Sequence, residues 1–368
     1  MRSGRAGRWL SGLLLGLTGA WLGAACGGPP EVVAPPAPAS ATAAASSAPE
    51  PVASAASSAS SAAIASASTA PPAPPAEEGP CPADMVFVDG EYCEEVERRC
   101  LKEEENKPNH LTLCHRFAHE TKCRGKAEKR SFCIDKYEYP NREGAHPPWQ
   151  VSWYDGEATC RSLGKRLCYE TEWITACEGP DHLPFPYGWD RDQTACNIDN
   201  TWINPQLDLA YSKDPAKSEP ELARLDQSVP SGAMSRCKSG YGVHDMTGNF
   251  DEWVTRDRPS TAKDKSKWAA LKGGAWGHVR NACRPVTTSH APEFTYYFVS
   301  FRCCADPKGR EPYVPKKATP APKVEPKDRA PIPAPKNPTG PSKHKVQPEN
   351  LTPPSRNVSP LRRERGRV

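Results

Sequence analysis

The sequence predicts a folded domain that mixes short strands with short helices, contains long irregular stretches and is rich in disulfides. Fourteen of the 15 cysteines lie between Cys81 and Cys304. Within this range, apolar patterns of strand length and two short helical patterns are separated by glycine-rich turns. The 42 prolines and the 37% content of hydrophobic residues leave much of the 368-residue chain unable to form a core. We therefore expect one folded region, residues 81–306, between two extended flanks.

Residues 1–26 have the pattern of a bacterial export signal. Three arginines precede an apolar run, residues 9–25, which is short and interrupted by glycine for a membrane span. Small residues then precede Cys26, as in a lipoprotein signal. We expect lipid attachment at Cys26, with ordinary cleavage near the same place as the alternative. The chain is thus expected to be exported to the cell envelope and anchored to a membrane by lipid, on the periplasmic side or the cell surface.

Export determines how the remaining cysteines are interpreted. If Cys26 carries lipid, fourteen are left, an even number that suits complete pairing in an oxidising compartment. Each long-range bridge typically adds roughly 2–4 kcal/mol of stability.

The two flanks have compositions that are typical of disorder. Residues 27–80 are almost entirely Ala, Ser and Pro, so we expect a tether. Residues 307–368 are expected to form a disordered, basic, Pro-rich tail. Its last part, residues 310–368, has a net charge near +9, which leaves the rest of the chain near −5. Such a tail could contact anionic lipid or polysaccharide, whereas the scarcity of aromatic residues disfavours nucleic acid.

A cysteine-rich insert, residues 93–130, follows a first strand at residues 85–88. His110, His115 and His119 recur in it close to Cys114 and Cys123. If this segment were helical, these side chains would share one face and could hold a transition metal. The alternative is that both cysteines form disulfides.

Two short helices are predicted in the middle of the domain. Ser152 and Asp155 form the pattern of a capping box, and Gly164 is a natural stop after that helix. We expect Leu163 to face the core. The second helix is expected over residues 171–178, before another glycine.

Residues 240–254 carry the densest set of turn and core residues in the chain. Their glycines and apolar side chains predict a tight turn that leads into a half-buried strand. Asn249, Asp251 and Glu252 also bring oxygen donors together, which would suit calcium. The plain turn remains the alternative, since Asn and Gly favour turns on conformational grounds.

Taken together, the motifs resemble the formylglycine-generating enzyme, or sulfatase-modifying factor, family over residues 81–306. The resemblance implies an irregular α+β fold, related to C-type lectin-like modules and low in regular secondary structure. It also implies disulfides from Cys160 to Cys303 and from Cys177 to Cys283. Calcium ligands would fall on Asn197 and the backbone of Ile198 for one ion, and on Asn249 and Glu252 for another. The motifs that carry it are Met85-Val86-Phe87-Val88, Asp135-Lys136-Tyr137-Glu138, Gly248-Asn249, Glu252-Trp253, Gly273-Gly274-Ala275-Trp276 and Phe301-Arg302.

Family members that make formylglycine use two cysteines to bind copper and to oxidise a cysteine of a sulfatase peptide. Here His278 stands at the first of these positions, and Cys283 has the spacing of the second. If Cys283 is instead bonded to Cys177, no copper dithiolate remains, so copper is not expected. Iron or another redox metal held by His278 and a carboxylate is an alternative, and His278 as an ordinary residue at the solvent edge is the simplest interpretation.

These observations predict an exported family member that lacks formylglycine-generating activity and acts in binding or assembly at the cell envelope. Its ligand could be a peptide, a protein or a glycan. A metal-dependent oxidative enzyme of the formylglycine-generating or iron-dependent type is the alternative. A lectin-like module that binds carbohydrate is a further alternative and rests on fold analogy alone.

Overall fold

A computed structural model describes residues 79–107, 111–261, 263–316 and 318–334. Cys26, residues 27–78 of the tether and residues 335–368 lie outside these ranges. Within them, no helix is long and apolar enough to cross a membrane.

The described chain is a mixed α and β domain built from short elements. Four helices occupy Trp153–Ser162 (α1), Glu170–Glu178 (α2), Leu207–Ala210 (α3) and Pro215–Leu225 (α4). The first five strands are Met85–Cys93 (β1), Val96–Asn106 (β2), Leu111–Cys123 (β3), Ala127–Asp135 (β4) and Arg166–Leu167 (β5). The other five are Asp251–Thr255 (β6), Ala269–Lys272 (β7), Val286–Thr287 (β8), Val299–Phe301 (β9) and Cys303–Ala305 (β10).

The strands form two small four-stranded sheets and one two-stranded ribbon. One sheet has the order β1-β4-β10-β5, and the other has the order β8-β7-β6-β9. β6 pairs with β9 in parallel, whereas its pairing with β7 is antiparallel. Since β9 and β10 follow one another in the chain, the last strands link the two sheets. The apolar faces of both sheets and of α1 and α2 enclose the main core clusters.

Seven disulfides join all fourteen cysteines of the described region. Two of them are the pairs that the resemblance implied, Cys160–Cys303 and Cys177–Cys283. The other five are Cys81–Cys133, Cys93–Cys123, Cys100–Cys114, Cys168–Cys304 and Cys196–Cys237. Three of the bridges close loops of more than 100 residues. Bridges over such long separations restrict the unfolded chain strongly.

The cysteine-rich insert is a β-ribbon, and the helical arrangement considered from the sequence is wrong. β2 and β3 pair antiparallel with several register shifts. Cys114 and Cys123 are consumed by disulfides, so neither thiol is available to a metal. His115 pairs with Glu104, while the ring of His119 stacks on Trp189. His110 lies outside the described residues.

α1 begins and ends near the predicted positions. The Ser152 side chain accepts a hydrogen bond from the backbone of Asp155, and the Asp155 carboxylate accepts one from the backbone of Ser152. Gly164 follows the helix in a left-handed conformation, with φ of 71°. Leu163, expected in the core, is instead 52% exposed, because it caps the helix on the solvent side.

The first part of the Pro-rich tail packs on the domain, so order continues beyond the boundary predicted at residue 307. Val324 and Ile332 are buried in the same cluster as α1. The backbone of Ile332 makes two hydrogen bonds to the domain. Its carbonyl oxygen accepts from the Tyr139 hydroxyl (2.7 Å), and its amide donates to Thr159 Oγ1 (3.0 Å). In the sequence, Val324 and Ile332 are isolated apolar residues within a basic, Pro-rich segment, so packing of this segment on the domain was not predicted.

Candidate functional site

The loop after β7 places His278 beside the start of β6. Its first two residues, Gly273 and Gly274, have φ of 90° and 72°, a region that favours glycine. The amide of Gly274 donates to Asp251 Oδ1 (3.1 Å). A side chain at Gly274 would lie about 3.3 Å from Cβ of His278. The tight turn therefore fixes His278 against the Asp251 carboxylate.

His278 and Asp251 form a partly buried pair. The Nδ1 atom of His278 lies 3.7 Å from Asp251 Oδ2, and this nitrogen is buried although 29% of the side chain is exposed. Burial raises the pKa of Asp251 to about 7. Burial and the nearby Arg280 lower the pKa of His278 to about 4. At neutral pH the imidazole is therefore uncharged, and the pair is not a full ion pair.

Cys283 is fully buried and oxidised. It is bonded to Cys177, with a Cα–Cα distance of 5.5 Å. Its amide donates to the carbonyl oxygen of Pro184 (3.0 Å), and its own carbonyl oxygen accepts from Lys272 Nζ (2.9 Å). Because every cysteine in the described ranges is bonded to another, this region offers no pair of thiolates. The residues present therefore do not fit the two-cysteine copper site that the resemblance describes.

A series of contacting aromatic rings lies beside this loop, and we call it the ring strip. Successive centroids are 3.8 Å apart from His290 to Phe294, 5.6 Å from Phe294 to Tyr296 and 4.7 Å from Tyr296 to Phe298. Phe298 then contacts His278 (5.3 Å) and Trp202 (6.3 Å). The ring strip consists of these six residues.

Trp202 is the most exposed ring of the strip. It is 49% exposed, whereas Phe298 is only 7% exposed. Its loop is held in place because the Asn200 amide donates to the carbonyl oxygen of Trp276 (2.9 Å). Sequence reasoning did not single out Trp202. The available signal was that residues 184–202 are irregular, aromatic and rich in Asn and Asp.

Arg280 lies two positions after His278 in the same loop. Its electrostatic influence reaches Asp251, His278 and His290, and it helps to lower the pKa of each histidine to about 4. Its Nη1 donates to Thr287 Oγ1 (3.0 Å). It has no carboxylate at ion-pair distance within the described region. Arg280 therefore leaves a positive charge next to rings that are neutral at pH 7.

The side chains proposed as calcium ligands are engaged within the protein. Asn249 Oδ1 accepts hydrogen bonds from the Val229 amide (2.9 Å) and from Asn197 Nδ2 (3.1 Å). Both oxygens of Glu252 contact Arg302, at 2.7 and 2.6 Å. Calcium at Asn249 and Glu252 stays a prediction, and binding there would have to compete with these contacts.

The backbone carbonyl oxygen of Asn197 accepts from the Asn249 amide (2.9 Å), which brings the two predicted sets together. Ile198 is buried next to them. Calcium at Asn197 and Ile198 stays a prediction. Among the described residues, no group of three His, Cys, Asp or Glu side chains could hold a metal ion.

A network of buried acidic side chains lies next to Asn249, and the sequence did not predict it. Glu138, Asp245 and Glu252 are at most 2% exposed. Arg302 forms an ion pair with Glu252 and interacts electrostatically with the other two carboxylates. Glu138 Oε2 accepts from Asn249 Nδ2 (2.8 Å), while Glu138 Oε1 has no hydrogen-bond partner in the described region. Burial raises the pKa of Glu138 well above its usual value. The network connects the Asn249 turn to the core and lies away from the solvent.

Comparison with known proteins agrees with the motif order. The model of the sulfatase-modifying factor enzyme 1-like domain matches residues 95–307, more than half of the chain. The chain belongs to this family. The formylglycine-generating enzyme of Mycobacterium tuberculosis is 29% identical over 184 residues, which cover 44% of this chain and 58% of that protein.

A relative named inactive C-alpha-formylglycine-generating enzyme 2, from Bos taurus, is 27% identical over 179 residues, covering 45% of this chain and 52% of that protein. The chain thus spans about half the length of these curated family members. The solved structure of PvdO from Pseudomonas aeruginosa is 16% identical, with a TM-score of 0.39, and the match covers 63% of this chain and all of that one.

Proposed function

We propose that this chain is an exported family member that does not generate formylglycine and instead acts as a binding module at the cell envelope. The observation that carries the proposal is the bond between Cys177 and Cys283 beside a histidine, His278, at the other cysteine position. Soft thiolates suit Cu(I). An imidazole and a disulfide sulfur do not replace two thiolates, so the copper-dependent oxidation lacks its ligands.

The experiment is a direct assay of formylglycine formation. The purified full chain is incubated with a sulfatase peptide, copper and oxygen, and the peptide is analysed by mass spectrometry. The enzyme of M. tuberculosis serves as the positive control. We expect no formylglycine, together with no free thiol in the native domain. Formylglycine in this assay, or a reactive thiol at Cys283, would overturn the proposal.

Export and lipid anchoring are part of the same proposal. Seven disulfides are typical of a domain that folds outside the cytosol, which supports export. Cys26 follows an apolar signal in the sequence. We expect the chain to incorporate a labelled fatty acid and to fractionate with membranes, and the Cys26→Ala variant to lose both properties. Equal labelling of the variant would remove the anchor from the proposal.

A metal-dependent oxidative enzyme remains the other prediction from the sequence. It requires a redox metal bound in stoichiometric amount and lost in the His278→Ala variant. The described geometry favours the binding role over this alternative, because Asp251 is the carboxylate paired with His278 and no third ligand of the required type joins them. Elemental analysis of natively exported protein distinguishes the two.

A further inference from the structure

The ring strip includes His278, at the position of the first copper cysteine, together with neighbouring rings that the sequence motifs did not single out. From the row of rings and the adjoining Arg280, we infer that this surface binds an acidic polysaccharide, a glycan chain that carries carboxylate groups. This inference rests on the proposed binding role and names the class of ligand for it.

The half-exposed ring of Trp202 is the part of the strip that can stack against a sugar ring. His290, Phe294 and Tyr296 stack on one another, with successive centroids 3.8 and 5.6 Å apart, so their faces are largely covered by each other. Aromatic faces carry partial negative charge and attract the positive edges of C–H groups. The faces of pyranose rings present such C–H groups. Trp202, at one end of the strip, offers the largest exposed aromatic surface.

The backbone around the strip argues against an extended peptide as the ligand. A peptide that adds to a sheet edge requires free backbone groups. Here the carbonyl oxygen of Tyr296 accepts from the Gln150 and Val299 amides, and that of Phe298 accepts from the Asp251 amide. The carbonyl oxygen of Thr295 accepts from the Tyr211 hydroxyl. Recognition at this surface must therefore come from side chains.

Charge selects an acidic ligand over a neutral one. Arg280 has no carboxylate partner at ion-pair distance among the described residues, and both neighbouring histidines are neutral at pH 7 because their pKa values are low. A guanidinium in this position is well suited to a ligand carboxylate. One unpaired cation is too little for a nucleic acid, whose binding relies on neutralising many phosphates. An acidic glycan offers C–H groups to the aromatic rings and a carboxylate to Arg280.

The test uses the full chain, purified from the oxidising compartment, with oligogalacturonate as the probe. The same oligosaccharide with its carboxylates methyl-esterified is the matched neutral ligand. Binding is measured by isothermal titration calorimetry at low and high salt. We expect saturable binding of the acidic form, weaker binding of the ester and a loss of affinity with salt. Equal binding of both forms, or binding of neither, would overturn the inference.

Single substitutions locate the site. We expect Trp202→Ala and Arg280→Gln each to weaken binding by about fivefold or more. Leu163→Ala, at a residue that is 52% exposed elsewhere, and Arg99→Gln, at an exposed arginine on the ribbon, are the matched controls. Unchanged affinity in both strip variants would place the glycan elsewhere and contradict the inference.

The formylglycine assay on the same preparation separates this inference from the proposed function. If no formylglycine forms and the glycan does not bind, the inference alone is wrong. If formylglycine forms, the proposed function is wrong whatever the glycan result. A synthetic basic peptide is titrated as a third ligand, and a preference for it over oligogalacturonate would contradict the inference.

Discussion

Lys272 caps the loop that contains Cys283. Its buried Nζ atom lies at hydrogen-bond distance from three consecutive carbonyl oxygens, those of Cys283 (2.9 Å), Arg284 (3.0 Å) and Pro285 (2.7 Å). Burial lowers the pKa of Lys272 to about 7, so all three hydrogen bonds are donated when the amine is protonated. It also lies 5.1 Å from the centroid of the Trp173 ring. Cys283 is thus held in two ways, by its disulfide to Cys177 and by the hydrogen bond from Lys272.

Replacement of Lys272 by Met is expected to destabilise the domain. The change removes three hydrogen bonds and leaves three carbonyl oxygens without their donor, which should cost about 2–4 kcal/mol. Denaturant unfolding with the disulfides intact measures the effect. Lys267→Met, at an exposed position close by, should change the free energy of unfolding by less than about 0.5 kcal/mol. Similar results for the two variants would contradict the capping role.

The Arg302–Glu252 pair is expected to be essential for the stability of the fold, because further buried acidic side chains lie beside it. Arg302→Met would leave Glu252 without its cation next to Glu138 and Asp245, and should cost about 3–5 kcal/mol. The double variant Arg302→Met with Glu252→Gln should recover part of that loss, since it removes one of the buried charges. A double variant no more stable than Arg302→Met alone would argue against the charge explanation. Unfolding by denaturant measures both.

Because of Asp251, the free energy of unfolding is expected to decrease as the pH rises. Burial raises its pKa from 3.8 to about 7, so the folded state binds the proton more tightly than the unfolded state. The resulting stabilisation is complete below pH 4 and is lost as the pH rises through 7. Asp251→Asn keeps the acceptor for Gly274 and removes the titration.

We therefore expect Asp251→Asn to gain on the order of 3 kcal/mol relative to wild type between pH 4 and pH 8. The measurement is the free energy of unfolding across this range. Asp208→Asn, at an exposed helix position, is the control and should follow the wild-type profile. A constant difference between Asp251→Asn and wild type at all pH values would contradict the assignment.

The C-terminal segment should stabilise α1. Ile332→Asp places a charge in the apolar cluster and should lower the free energy of unfolding by about 2–4 kcal/mol. Hydrogen exchange should also become faster in α1, because Thr159 and Tyr139 lose their contacts with residue 332. Val314→Asp in the same segment is the control, since Val314 is 70% exposed. Unchanged exchange in α1 would show that the segment contributes nothing to this helix.

Local patterns explain which elements were predictable. The capping box of Ser152 and Asp155 fixes the start of α1 through neighbouring residues. The glycine at position 179 follows α2, and the Gly-Gly pair forms the turn before His278 for conformational reasons. Leu163 was placed wrongly because the helical period alone does not reveal which side of a helix end meets solvent. The ribbon was missed because a spacing of four residues between ligand types is not evidence for a helix.

By itself, the sequence determined the range that holds the fourteen paired cysteines and the ordered motifs that identify the family, and it predicted that His278 stands at the position of one copper cysteine. Only the tertiary structure decided that Cys283 is bonded to Cys177, that Glu252 pairs with Arg302, and that Trp202 contacts Phe298, which lies 96 positions later in the chain. The physical reason is that these relationships depend on distance after folding. Fourteen cysteines and a cluster of acids permit many pairings along the chain, and packing selects one of them.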